Sequence, residues 1–222
     1  MSPPALATTF ALWRYGARFK EIRLLWAAVL LSAGFIAWLV ALRHAPLAHV
    51  LLHAAIGASS WFVLEYLIHR FVLHFPNRWF AKLLGPGAKR GAGWNVHWQH
   101  HLAPSDPVLV FTPWWALVLL LAGTAGFGSL PEGVVSSAGA TFGMSAIVLF
   151  YETTHLAAHV PYKPRTRWFQ RMKRYHQLHH FQNERYWFGV THPLGDFIAR
   201  TWPDPKAIER SSTARTLGVD AP

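Results

Sequence analysis

Cysteine is absent from the 222 residues, and with it go disulfides, thiolate zinc sites, iron–sulfur clusters and thiol nucleophiles. Any metal must be held by nitrogen or oxygen. Charge is also scarce: charged residues make up 14% of the chain, with ten Asp and Glu against 21 Lys and Arg, where soluble domains carry about a quarter. With 52% hydrophobic residues, water is not the only solvent the chain is built for. The length asks for no more than one domain.

Four stretches carry no charge at all: 24–42, 44–64, 108–130 and 133–151. Each has the roughly 17 to 25 residues a helix needs to cross the hydrocarbon. They predict four transmembrane helices in two hairpins. The first run is too long for a cleaved signal peptide, and Arg14, Arg18, Lys20 and Arg23 precede it as a cytoplasmic anchor would. With the N-terminus inside, 20 of the 21 Lys and Arg fall on the cytoplasmic side and only Arg43 outside, as retention of positive charge there requires. The basic excess is thereby a matter of membrane orientation, which excludes a nucleic-acid partner. Trp61, Trp79, Trp94, Trp114 and Trp115 lie near span ends, where interfacial anchors sit. The GPGAKRGAG stretch at 85–93 reads as a turn-rich loop, 161–167 as a break after the fourth span, and the polar tail from Ser211 as frayed.

What the sequence has in excess is histidine. Ten of its fourteen fall into four groups: His69 and His74; His97, His100 and His101 in NVHWQHH; His155 and His159 in HLAAH; His176, His179 and His180 in RYHQLHH. All map to the cytoplasmic side of the four-span topology. Residues four apart share a helix face, while adjacent ones diverge by about 100°. His97 and His101 can therefore share one ion while His100 turns to a second, and His176 and His180 are paired in the same way with His179 turned across. HxxxH presents His155 and His159 from one face. His69 and His74, five apart and just before Pro76, call for irregular or unwound backbone.

Ten imidazoles over two ions give five each and leave a sixth position open, more than a tetrahedral structural zinc site uses. Imidazole suits iron, copper, nickel and zinc alike. His44, His49 and His53 read instead as hydrogen-bonded interior groups. Because ligating imidazole commonly donates its other N–H to an acid, Glu65, Glu152, Asp106 and Asp196 are candidate supports of the ligands, with span-end solvation the alternative for the two glutamates and a turn for Asp106 before Pro107.

These motifs resemble the membrane fatty acid hydroxylase and sterol desaturase superfamily of histidine-box di-iron oxygenases, and most closely the fatty acid 2-hydroxylases. LEYLIHRFVLH (64–74) is similar to the first box and HWQHHLAPSDPVLVFTP (97–113) to the second, while ETTHLAAH and YHQLHHFQNERYWFGVT carry the rest. The resemblance spans about residues 65–202. It implies one metal held by His69, His74, His97, His101 and His179, and a second by His100, His155, His159, His176 and His180. Two iron ions are implied, replaceable by zinc in purified protein, with O2 as co-substrate, a lipid substrate in the membrane and hydroxylation of an acyl carbon, C-2 included.

Two departures bear on substrate choice: Gly195 stands where the family usually has tryptophan, and His192 where a small hydroxyl residue is common. His192 is either a contact to a lipid headgroup or a turn residue before Pro193. Some relatives carry a fused cytochrome domain; here about twenty residues precede the first span, so the expectation is a single 1–222 membrane domain without one, fed by a separate donor such as a cytochrome b5-like protein, a ferredoxin or a reductase.

The expected architecture is an all-α integral membrane protein, multi-pass, its termini and its dinuclear metal site in a cytoplasmic helical cap. A desaturase, or a sterol or carotenoid hydroxylase, would share the metal chemistry. A metal transporter would place ionisable groups near the midplane of several spans, and 108–130 and 133–151 hold neither charge nor histidine. A haem electron carrier would pair histidines on opposing spans.

Overall fold

The structure is a computed structural model that describes residues 6–74 and 92–218. Its elements in chain order are α1 (Thr9–Gly16), α2 (Lys20–Arg43), α3 (Leu47–Leu67) and a π-helix (Ile68–Leu73), then α4 (Ala92–Leu102), α5 (Trp114–Glu132), α6 (Val134–His159), α7 (Arg167–Phe181), α8 (Leu194–Ile198) and a 3₁₀ turn (Pro205–Ala207). Among the described residues the extended pairing is confined to one isolated bridge, Leu6 with Tyr162. Pro76, Trp79, the Trp94 side chain and most of the 85–93 loop lie outside the described residues.

Four helices are long and apolar enough to cross a membrane: α2, α3 with its π-helical continuation, α5 and α6. This makes the chain a multi-pass membrane protein. The third starts later than the uncharged run suggests, because 108–113 is turn and extended backbone ahead of Trp114. The fourth runs on past Tyr151 to His159, so HLAAH is its last turns. Protein covers little of α2 and α5 but more than half of α6, which leaves the first two for lipid.

By its internal contacts the chain divides into two compact units. One comprises Phe10–Phe62 and Phe111–Thr153, the other Met1–Thr9, Val63–Val110 and Thr154–Pro222. In the first, α2 ends on His44 in the left-handed conformation (φ 53°), its N–H and that of Ala45 both bonding the Leu39 carbonyl, the closing pattern of a helix C-terminus. Between α5 and α6 stands a single residue, Gly133, at φ 60° and ψ −127°, a combination outside the left-handed helical region that His44 occupies and one that glycine accommodates. His49 Nδ1 lies 3.0 Å from a Glu132 carboxylate oxygen and His53 Nε2 3.7 Å from the same atom. Trp114 and Trp115 are exposed at the start of α5, as anchors would be, but Trp61 is buried edge-on against Tyr151 at 5.0 Å. Its neighbours on a tightly packed helix, not the interface, account for it.

That packing rests on small residues. In α6, Gly139 and Gly143 form a G-x-x-x-G pair against α3: a Cβ at Gly139 would stand 2.5 Å from the Val50 carbonyl oxygen, and one at Gly143 would run into the Ala54 carbonyl. From the α3 side, a Cβ at Gly57 would meet the Ala140 backbone. Lipid offers no hydrophobic drive between helices, so close backbone approach supplies the attraction. Gly143→Val should therefore lower stability by about 1–3 kcal/mol, read as a fall in the thermal midpoint in detergent. Gly126→Val, where nothing lies within 4 Å, is the control, and equal midpoints for the two variants would refute the close-packing account.

Candidate metal centre

Local helix geometry delivers ten imidazoles to the second unit. α4 carries His97, His100 and His101, α7 carries His176, His179 and His180, and the last turns of α6 carry His155 and His159. His69 and His74 are placed by the π-helix, whose i→i+5 winding stacks residues five apart. The His74 N–H bonds the His69 carbonyl at 3.2 Å. The backbone is thus wound wider rather than unwound. Eight of the ten are buried; His74 and His159 are half-buried.

They form two groups of five, His69, His74, His97, His101 and His179, and His100, His155, His159, His176 and His180, with one ligand atom from each residue within 4.8 Å of all others in its group. The memberships coincide with the two sets implied by the resemblance. The groups touch each other, the His101 ring stacking on His180 at 4.1 Å.

The hydrogen bonds fix which nitrogens face inward. His69 Nδ1 lies 2.5 Å from the Phe188 carbonyl oxygen, His179 Nδ1 2.7 Å from that of Tyr186, and His101 Nδ1 2.9 Å from that of Ala214. A carbonyl only accepts, so each Nδ1 carries the hydrogen and, in a neutral ring, each Nε2 is a bare lone pair. Inside the first group Nε2 of His97 is 3.2 Å from that of His69 and 2.9 Å from that of His74, which is 3.0 Å from that of His179. Hydrogens are available only from His74 and His97, and they cannot make all three contacts attractive. The Nε2 of His101 and both ring nitrogens of His100 are buried without a hydrogen-bond partner.

A cation among the nitrogens resolves the conflict. Metal–imidazole bonds of about 2.1 Å set at right angles put neighbouring nitrogens about 3 Å apart, the spacing observed here and in the second group, where His176 Nε2 is 2.8 Å from that of His159 and 3.1 Å from that of His180. Burial first, then neighbouring imidazoles, hold His74, His97, His100, His176 and His180 well below the ordinary histidine pKa. Burial pushes His101 down to about 3. The rings are neutral, the form a metal requires. The donor set therefore fits two metal ions.

The acids singled out in the sequence take backbone partners. Glu65 accepts from the N–H of Val190 (2.5 Å) and Thr191 (2.9 Å) and from the Thr191 hydroxyl. Asp196 accepts from the N–H of Phe188 (3.0 Å) and Gly189 (2.7 Å) and from the Thr201 hydroxyl at 2.6 Å; burial raises its pKa. Both fix the loop whose Phe188 carbonyl orients His69, so their influence on the ligands passes through backbone. In the other unit, Glu152 accepts from the Thr112 N–H at 3.2 Å. Asp106 closes a turn through the Val108 N–H at 3.0 Å. His192 does likewise, its Nδ1 accepting from the Leu194 N–H at 3.1 Å while Nε2 lies 3.7 Å from Glu65; burial lowers its pKa to about 4. Gly195 is required by Tyr66, whose ring any Cβ there would strike.

Three supports were not visible in the sequence. Phe188 lays its ring against His69, His74 and His179, with centroids 5.6, 5.3 and 5.3 Å away. Lys173 donates to the carbonyls of Ala157, Val160 and Tyr162 at 2.7–2.9 Å, pinning the end of α6 that carries His159. The tail is not frayed where it is described: Ala214 is buried under His101, and Arg215 donates to the His101 and Leu102 carbonyls. Its polar groups find partners inside the protein, as when the Ser211 N–H bonds the Gln182 carbonyl at 2.7 Å.

Fold and site together define a helical membrane protein with paired five-histidine clusters able to hold metal. The chain belongs to the fatty acid hydroxylase family, whose model matches residues 54–201. It is similar to the dihydroceramide fatty acyl 2-hydroxylase FAH2 of Arabidopsis thaliana, 30% identical over 168 residues, 71% of this chain and 63% of that protein. It is also similar to the fatty acid 2-hydroxylase of Rattus norvegicus, 33% identical over 153 residues, 66% of this chain and 38% of that protein. The chain thus spans less than two thirds of these relatives' length. Among solved structures it shares its fold with one described as full length scs7p with only the hydroxylase domain visible: TM-score 0.66, 22% identity, 84% of this chain and 69% of that one.

If Glu65 acts by holding 190–191, Glu65→Gln and Thr191→Val should each lower the thermal midpoint, with a double-mutant coupling of about 1–3 kcal/mol. Strict additivity of the two changes would show that the contact carries no energy of its own.

Proposed function

We propose that this chain is a di-iron oxygenase that hydroxylates an acyl chain of a membrane lipid: RH + O2 + 2 electrons + 2 protons gives ROH + H2O. The observation that carries the reading is the convergence of bare imidazole nitrogens on two neighbouring points within the segment that defines the family. Five ligands from His69, His74, His97, His101 and His179 would hold one ion, and five from His100, His155, His159, His176 and His180 the other. An all-nitrogen set of five would leave room for a further ligand on an ion that takes six. Bound iron supplies the redox chemistry that breaks an unactivated C–H bond.

The protein's own part is positional. The carbonyls of Tyr186, Phe188 and Ala214 hold three rings with Nε2 inward, and the Phe188 ring keeps water off the adjoining imidazoles. A cavity of about 510 Å³ reaches His74, with Phe71, Phe188 and Leu217 as apolar wall and Arg70, Glu184 and Arg185 as charged groups, a mixture that suits an acyl chain ending in a polar group. The relatives' names, dihydroceramide fatty acyl 2-hydroxylase and fatty acid 2-hydroxylase, support C-2 as the carbon oxidised. The distribution of Lys and Arg supports a cytoplasmic site and termini, and the reaction draws two electrons per turnover from a protein donor.

Lipid mass spectra of host cells supplied with a reductase test the reading. Wild type should add one oxygen to acyl chains, with fragmentation placing it; loss of two hydrogens instead would mean a desaturase, and an unchanged lipid profile would remove the acyl substrate. His179→Ala and His180→Ala remove a ligand from different groups, so each should cut turnover by about 100-fold or more and lower the metal content from two ions towards one. Full metal content and activity in both variants would overturn the two-metal assignment.

A further inference from the structure

The outward face of α7 is basic, with Trp168 and Phe181 also exposed on the helix. Between 163 and 181 the chain has six cations and no acid. Lys173 is turned to the carbonyls at the end of α6; Lys163, Arg165, Arg167, Arg171 and Arg174 are exposed. At about 100° per residue, Arg167, Arg171 and Arg174 fall on one stripe, and His176 lies about 180° round the helix from it. Met172, His179 and His180 flank His176 on the buried side. Among the described residues no carboxylate stands within ion-pair distance of any of the five, so the stripe is an unneutralised ridge backing directly onto three candidate ligands.

Beside the ridge, aromatic rings lead inward. Tyr175 packs tilted against Trp202 at 4.1 Å and lies 6.2 Å from Trp187. Trp187 is fully buried between Tyr186, whose carbonyl holds His179, and Phe188, whose ring touches His69, His74 and His179.

We propose that the ridge of Arg167, Arg171 and Arg174, with Lys163 and Arg165 at its end, is the docking surface for a small acidic one-electron carrier protein. The inference rests on the oxygenase reading, which requires a source of two electrons, and adds where a carrier delivering them sits and which charge it bears. A carrier held there is separated from the histidines by one helix, roughly 10 Å thick. Complementary charge steers encounter and fixes orientation, and its effect fades as salt rises. An anionic bilayer surface could also attract cations, but a membrane contact calls for no alignment with the buried histidines and no aromatic column beside them.

The test uses the full chain in neutral detergent and the soluble haem domain of an acidic cytochrome b5 as probe, with binding measured at about 20 mM and about 200 mM salt. Wild type should bind, weakening about tenfold or more between the two salts. The triple variant R167Q/R171Q/R174Q should lose about tenfold or more at low salt, and R167K/R171K/R174K should stay near wild type. Metal content, measured on both variants, should match wild type and report intact folding. A basic cytochrome c should not bind.

Wild-type affinity in the glutamine variant, or salt-independent binding by wild type, would overturn the proposal. So would loss of binding to phosphatidylserine vesicles with carrier binding intact, which would make the ridge a membrane contact, or equal loss to both, which would make it an unselective positive surface. Failure of the oxygenase reading would appear separately, as absent hydroxylation when a small-molecule reductant replaces the carrier.

Discussion

Neutral imidazoles with their lone pairs turned toward one another are a poor arrangement for a dry interior. Each buried acceptor without a donor costs about 1–3 kcal/mol, and His97, whose Nε2 lies about 3 Å from those of His69 and His74, compounds this with direct repulsion. Protonation offers no escape, because burial disfavours charge on the rings and every additional proton would face its neighbours. A cation is the one partner that all of these nitrogens can share. The fold around them is best understood as the means of holding the lone pairs in place against their own preference.

That holding is done mostly by backbone. The carbonyls of Phe188, Tyr186 and Ala214 fix the tautomers of three rings, and a π-helix, rarer and less favourable than an α-helix, brings His69 and His74 to one face. Such backbone persists only where its surroundings over-determine it. Here Glu65 grips 190–191, Asp196 grips 188–189 and Thr201, and Lys173 holds three carbonyls at the end of α6. Each is a charged or acidic group with several backbone partners, an arrangement stiffer than a single neutral contact.

The legible part of this architecture was whatever helix periodicity carries. HxxHH on α4 and α7 sends its first and last histidines one way and its middle one another, and the clusters divide in that way. The uncharged runs located the spans but not their ends: sequence hydropathy cannot tell that 108–113 is turn or that α6 continues through His159. Five-residue spacing signalled abnormal backbone at His69 and His74 without saying that a wider helix would serve. The acids were harder still. Expecting them to bind imidazole directly overlooked that backbone carbonyls can take the same N–H, and nothing in the residues at 186, 188 or 214 announces a free carbonyl. Ala214 is 113 residues from the histidine it orients, and its polar surroundings resemble any loose tail.

The two faces of α7 follow from one economy of charge. The chain has ten acids, and four of them, Glu65, Glu152, Glu184 and Asp196, are buried. Three bond backbone N–H groups, and Glu184 accepts from the Thr213 hydroxyl at 2.6 Å and lies 3.9 Å from the adjoining Arg185, so none of the four pairs with the arginines exposed on α7. Histidine takes the place acids have in many metal sites, and being neutral it leaves no negative charge to balance the cations on the opposite side of the same helix. An all-imidazole centre thus does more than select a nitrogen-loving metal. It leaves the outer surface of α7 positive, so an acidic protein meeting that surface would be steered to the side of the helix that backs onto His176, His179 and His180.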